Sequence, residues 1–257
     1  MSTVVFRRHV TSLPASTARS AVLCVRAVVF ATAFAFACLA APIAGAEQVW
    51  LGQSVSLPAT ENVRLTFSNT TYTEHGDHFA NEEAASFRWR FAPNWSAGAG
   101  ITFGQDRVDR VAEADGEADG SGKRWVWSSR PTEHVSLDWS GTYSGWTFFN
   151  AQHLDLYFRK DERDWPLYRN IGSLTAPPVP GLPWRPRPYL TEQIYFSGRE
   201  CFTGFDRFNQ VRLGAGVRLH PCENLMLSAY WQYRDIEQLD GAWEQFRVAG
   251  ISAALVF

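Results

Sequence analysis

The sequence predicts an all-β chain folded as an antiparallel, up-and-down transmembrane β-barrel, and three observations carry that reading. Apolar and polar residues alternate with period two through most of residues 47–257. Short turns alternate with longer, more polar connections, and the last residues form an apolar row that ends in the aromatic Phe257.

Composition sets the outer limits. The 257 residues are 46% hydrophobic, 19% charged and 14% aromatic, with 11 Trp, which excludes a disordered tail, a collagenous chain and a small disulfide-stapled scaffold. No Pro/Gly/Ser-rich linker divides the chain into halves of different pattern, so a single domain follows.

Residues 1–46 read as a cleaved secretory signal. Arg7, Arg8, Arg19 and Arg26 precede an apolar run from Ala27 to Ala41, and Ala44-Gly45-Ala46 has the small-x-small form of a cleavage site. The run is short for a membrane-spanning helix, which needs about 20 residues. Cys38 follows Ala35-Phe36-Ala37, which lacks the aliphatic start of a lipidation signal. Removing 46 of 257 residues leaves 211, and losing those four arginines takes 24 basic side chains to 20 against 26 acidic ones. A chain so charged is not a nucleic-acid binder.

The strands follow in order. Val63, Leu65 and Phe67 alternate with Arg64, Thr66 and Ser68. Phe87, Trp89 and Phe91 alternate with Ser86, Arg88 and Arg90, and Trp95 to Phe103 alternate with Ser96, Gly98, Gly100 and Thr102. Val135, Leu137 and Trp139 oppose His134, Ser136 and Asp138. Val211 to Leu219 oppose Arg212, Gly214, Gly216 and Arg218, and Leu225 to Tyr233 oppose Ser228, Tyr230, Gln232 and Arg234. A barrel with lipid outside and a polar interior requires this division. A soluble two-sheet sandwich also alternates, but it needs neither outward Trp girdles nor a terminal aromatic row.

Counting back from the C-terminus gives strands beginning near 244, 224, 207, 187, 165, 145, 131, 95, 81 and 62. An even number is expected, ten, with twelve the other count that fits. Segment 47–57 is left over. It has strand character but the wrong direction, so it either threads the lumen or marks a miscount of a neighbouring strand.

Ile251, Ala253, Leu255 and Phe257 resemble the C-terminal signal read by the outer-membrane barrel assembly machinery. That machinery and outer-membrane lipid are the expected partners, with small solutes as possible cargo and the oligomeric state open. No cofactor is expected.

Parity places His134, Ser136, Asp138, His153 and Asp155 on the inner face of one hairpin, which assembles the residue types of a hydrolytic triad. Same-face neighbours on a strand stand about 6.6 Å apart, which is long for a Ser-His hydrogen bond. A hydrogen-bonded polar filling is the competing account. The same face collects Arg64, Arg88, Arg90, Arg212, Arg218 and Arg234 against Asp138, Asp155 and Glu192. In an open lumen these would favour anions; in a narrow barrel they are paired filling.

Two loop patterns hold metal-ligand types. Glu74, His75, Asp77, His78, Glu82 and Glu83 match no strong zinc spacing and read as a solvated surface loop. Asp115 to Gly120 begins like a calcium loop but meets Val126 where the closing Glu belongs. No metal is expected, and 105–124 reads as a mobile acidic external loop. Cys201 and Cys222 remain in an exported chain, where a disulfide is the default, yet the strand order puts them at opposite ends of one strand.

The C-terminal half resembles the bacterial family known as domain of unknown function 2490. The resemblance lies in Tyr168-Arg169-Asn170, Arg187-Pro188-Tyr189 with Glu192, Phe208-Asn209 with Arg212, Gly214-Ala215-Gly216, and Asn224-Leu225 running to Tyr230 and Gln232. Ile171 stands where a second Arg is expected. The resemblance implies an outer-membrane barrel and brings no catalytic residue. The expected function is a passive narrow pore or structural membrane protein, more in keeping with a non-enzyme, with an outer-membrane hydrolase using the His/Ser/Asp cluster as the alternative.

Overall fold

A computed structural model describes residues 46–74, 77–110, 124–157, 165–198, 205–237 and 242–257. The expected leader, apart from Ala46, lies outside them. Among the described residues eleven strands form one closed barrel: β1 (Gln48–Pro58), β2 (Val63–Glu74), β3 (Asp77–Ala92), β4 (Trp95–Arg110), β5 (Arg124–Tyr143), β6 (Trp146–Tyr157), β7 (Trp165–Thr175), β8 (Arg187–Gly198), β9 (Phe205–Cys222), β10 (Leu225–Glu237) and β11 (Trp243–Val256).

Each strand pairs antiparallel with its sequence neighbours, as expected. The closure differs. β1 pairs antiparallel with β2 and parallel with β11, from Gln48 opposite Val248 to Ser56 opposite Val256. The even count is therefore corrected to eleven: the leftover segment is a strand of the wall, not a thread in the lumen, and the ten counted neighbours stand. β1 stands between β2 and β11 and satisfies the backbone groups on the facing edge of each.

Two loop expectations are also corrected. β4 runs to Arg110 and β5 begins at Arg124, with Gln105 opposite Ser129 and Arg110 opposite Arg124, so the two ends of the supposed loop, 105–110 and 124, are strand. Residues 111–123, which hold most of the calcium-like motif, lie outside the described residues. β3 begins at Asp77, so Glu82 and Glu83 of the zinc-like pattern are strand residues, not loop.

The connections 59–62, 93–94, 144–145, 176–186 and 223–224 lie at one end, here called the short-turn end. Between β5 and β6, Ser144 (φ 49°) and Gly145 (φ 82°) both adopt the left-handed region. A two-residue hairpin loop of the primed type requires this, and glycine supplies it without strain.

Register converts alternation into two surfaces. One continuous row crosses Arg88, Gly98, Ser136, His153, Arg169, Tyr195 and Gln210, on β3 to β9. Asp138, Asp155, Gln210, Gln232, Trp50 and Tyr195 are buried, whereas Phe67, Phe87, Trp89, Phe103, Val135 and Leu190 are exposed. The wall is apolar outward and polar inward, the reverse of a water-soluble barrel.

Candidate functional site

The buried interior is the candidate site. Four neighbouring strands build its first half. Arg88 of β3 reaches Asp138 of β5, with Nε 2.9 Å from Oδ2, and Asp138 is only 2% exposed. β4 lies between and presents Ser96, Gly98 and Gly100 inward. A Cβ on Gly98 would stand 2.8 Å from Ser136 Oγ and 3.0 Å from the Phe87 carbonyl, so only glycine leaves that space. Asp155 of β6 binds Arg169 of β7 at 3.3 Å, and Arg169 also lies 3.4 Å from His153 Nδ1. The rings of His134 and His153 lie beside each other, tilted by 30°, with centroids 5.9 Å apart.

The structure thus brings His134, Ser136, Asp138, His153 and Asp155 together as expected, with His134 opposite Asp155 and Ser136 opposite His153. It does not link them as a triad. His153 Nε2 is 4.0 Å from Asp138 Oδ1, and no hydrogen bond among the described residues joins Ser136 to either histidine. Ser136 Oγ instead lies over Gly98 on β4. A serine nucleophile is activated by a hydrogen-bonded base, and among the described residues Ser136 has no such bond to a histidine. Among the described residues no group of three or more His, Cys, Asp or Glu is disposed to hold a metal.

Aromatic residues and arginines fill the second half. The Arg212 guanidinium sits 4.8 Å from the Tyr195 ring centre and 5.2 Å from that of Trp50, and Arg234 sits 5.8 Å from Trp50. Arg234 also approaches Gln48 Oε1 at 3.5 Å, and the Tyr72 hydroxyl donates to Glu82 Oε2. Nearer the short-turn end, Arg218 lies 4.4 Å from the Tyr189 ring centre and donates to Thr175 Oγ1 at 2.9 Å. Arg169, 5.8 Å from the Tyr195 ring centre, joins the two halves.

Of the expected inner arginines, Arg88, Arg212, Arg218 and Arg234 are engaged inside. Arg64 and Arg90 have the inward parity but are exposed at the short-turn mouth, where Arg64 donates to the Phe257 carbonyl (3.0 Å) and Arg90 to Asn62 (3.4 Å). Glu192 is corrected: it is exposed on the outer wall, because buried Tyr195 fixes the inward parity of β8. Ala253 and Leu255 line an outer groove with Val55 and Phe67, Ile251 sits in a second with Trp231, and Phe257 is exposed.

Sequence reasoning missed Arg169 as the hub and Trp50, Tyr72, Tyr189 and Tyr195 as filling. The same-face row through His153 would have found Arg169 had the β6–β7 register been known. Comparison with models of known protein families and with curated proteins finds no match.

Proposed function

We propose that the chain is an integral outer-membrane β-barrel, exported by its N-terminal segment, whose side-chain-filled lumen makes it a structural membrane protein or at most a very narrow passive pore. One observation carries the reading: a closed barrel exposes large apolar side chains outward while burying Asp138, Asp155, Gln210 and Gln232 inside. Lipid is the solvent that stabilises such a wall, and closure leaves no backbone edge to satisfy.

The interior supports filling over conduction. Its carboxylates meet guanidinium groups and its arginines lie on aromatic rings, which leaves few charges for a solute. The unbonded Ser136 supports a role without hydrolysis.

Fractionation and planar-bilayer recording test this together. The expected result is a heat-modifiable band in the outer-membrane fraction and no discrete conductance steps beyond very small ones. A protein recovered in soluble form, or one giving large regular steps, overturns the location or the filled lumen respectively.

A further inference from the structure

Four polar side chains interrupt the outer wall on β6, β7 and β8. Asn150 and Gln152 of β6, Asn170 of β7 and Glu192 of β8 all have the outward parity, since Ala151, Asp155 and Tyr195 are buried inside. Asn150 Nδ2 donates to Asn170 Oδ1 at 3.3 Å, and Gln152 Nε2 donates to Asn150 Oδ1 at 2.7 Å. Glu192 lies flat over Gly172, its Cγ and Oε1 each 3.0 Å from where a Gly172 Cβ would stand. No hydrogen bond among the described residues reaches the Glu192 carboxylate or the Asn170 amide nitrogen.

The patch is an island. Phe148, Leu174 and Leu190 flank it towards the short-turn end, and Leu154, Ile194 and Phe196 flank it towards the long-loop end. Another outward polar run, Gln53, Asn69, Asn81 and Glu83 on β1 to β3, is followed towards the long-loop end by Thr71 and Thr73 on β2, with Leu51 and Val49 beside them on β1.

The next step rests on the membrane reading. In hydrocarbon no water is present to bond the Glu192 carboxylate or the remaining amide donors and acceptors, so a polar island implies a protein neighbour. We propose that this island is the interface with a second copy of the chain, in a dimer whose two-fold axis runs along the membrane normal. That axis keeps both patches at one depth and sets each against the other's counterpart. A carboxylate only accepts, whereas a carboxamide both donates and accepts, so the Asn170 amide of each copy complements Glu192 of the other. Gly172, with no side chain of its own, lets Glu192 lie flat against the wall, so nothing stands proud to keep two walls apart.

Oxidative cross-linking in native membranes tests the proposal. In a Cys201→Ser/Cys222→Ser background, Leu190→Cys beside the island is expected to form a dimer band, and Leu65→Cys on β2 is not. Native mass spectrometry from mild detergent should give a dimer for the wild type, and a monomer that keeps its heat-modifiable band for Asn170→Leu/Glu192→Leu. Leu190→Cys staying monomeric on oxidation, or a dimer unchanged by Asn170→Leu/Glu192→Leu, overturns the interface. The heat-modifiable band is read separately, so loss of the dimer is distinguishable from failure of the barrel reading. Should the double variant not fold, the cross-link alone decides.

Discussion

Arg88 on β3 spans the whole of β4 to reach Asp138 on β5, closing 2.9 Å between Nε and Oδ2. Between them Gly98 of β4 carries no side chain, and a Cβ there would press on Ser136 Oγ and the Phe87 carbonyl. The two partners are unequal: Arg88 is 54% exposed and Asp138 is 2% exposed. Removing either therefore has different consequences.

Arg88→Leu leaves a buried carboxylate without its cation and is expected to destabilise the barrel by about 2–3 kcal/mol, below the figure for a fully buried pair because Arg88 is half in solvent. Arg88→Leu/Asp138→Leu is expected to cost less than Arg88→Leu alone. Urea unfolding in lipid vesicles reads both; a double variant that loses more than Arg88→Leu alone would mean that the buried carboxylate does not depend on its cation.

The filled lumen makes a second claim. Trp50→Ala/Tyr195→Ala removes the rings on which Arg212 rests and should create discrete conductance steps where the wild type gives little or none. The freed guanidinium of Arg212 would make those steps anion-selective, which reversal potentials in a salt gradient report. Silence from a correctly folded double variant would place the constriction elsewhere.

Interior glycines should fall into two classes. A Cβ on Gly216 would meet the Ala229 backbone oxygen at 2.5 Å, and backbone cannot step aside, so Gly216→Ala is expected to cost about 1–3 kcal/mol. Gly52→Ala meets Ser252 Cβ at 3.2 Å and should be milder. Comparing the temperatures at which the two variants lose the folded gel band orders them.

Cys201 and Cys222 are expected to remain unlinked to one another. β9 runs from Phe205 to Cys222, roughly 55 Å at about 3.3 Å per residue, and the four steps from Phe205 back to Cys201 span at most roughly 14 Å. A disulfide needs α-carbons within about 7 Å. Peptide mapping of the non-reduced monomer should return the two cysteines in separate peptides; a joined pair would refute the observed strand order.

Much of this architecture was legible in the alternation itself. Parity placed His134, Ser136, Asp138, His153 and Asp155 on one face without knowledge of any partner strand. What it could not supply was register. Arg169 becomes a hub only because it pairs with His153, and that pairing depends on how the chain connects β6 to β7. Glu192 was misplaced for a different reason: charge argued for the interior, but β8 alternates Tyr189, Thr191, Gln193 and Tyr195 against Leu190, Glu192, Ile194 and Phe196, and its largest apolar side chains decide the face. The meeting of β1 with β11 was the least legible feature, since Glu47 and Arg247, which bond just beyond that pairing, lie 200 residues apart and no local pattern names so distant a partner.

That parallel pairing also decides the addresses of anything attached to the barrel. β1 starts at the long-loop mouth and β11 finishes at the short-turn mouth, so a passenger fused ahead of Glu47 leaves on the opposite side from one fused behind Phe257. In a barrel of even strand number both would emerge together, and a short linker could rejoin them to make a circular permutant. Here such a linker would have to cross the full height of the wall, so the order of strands along the chain is locked in by an odd number.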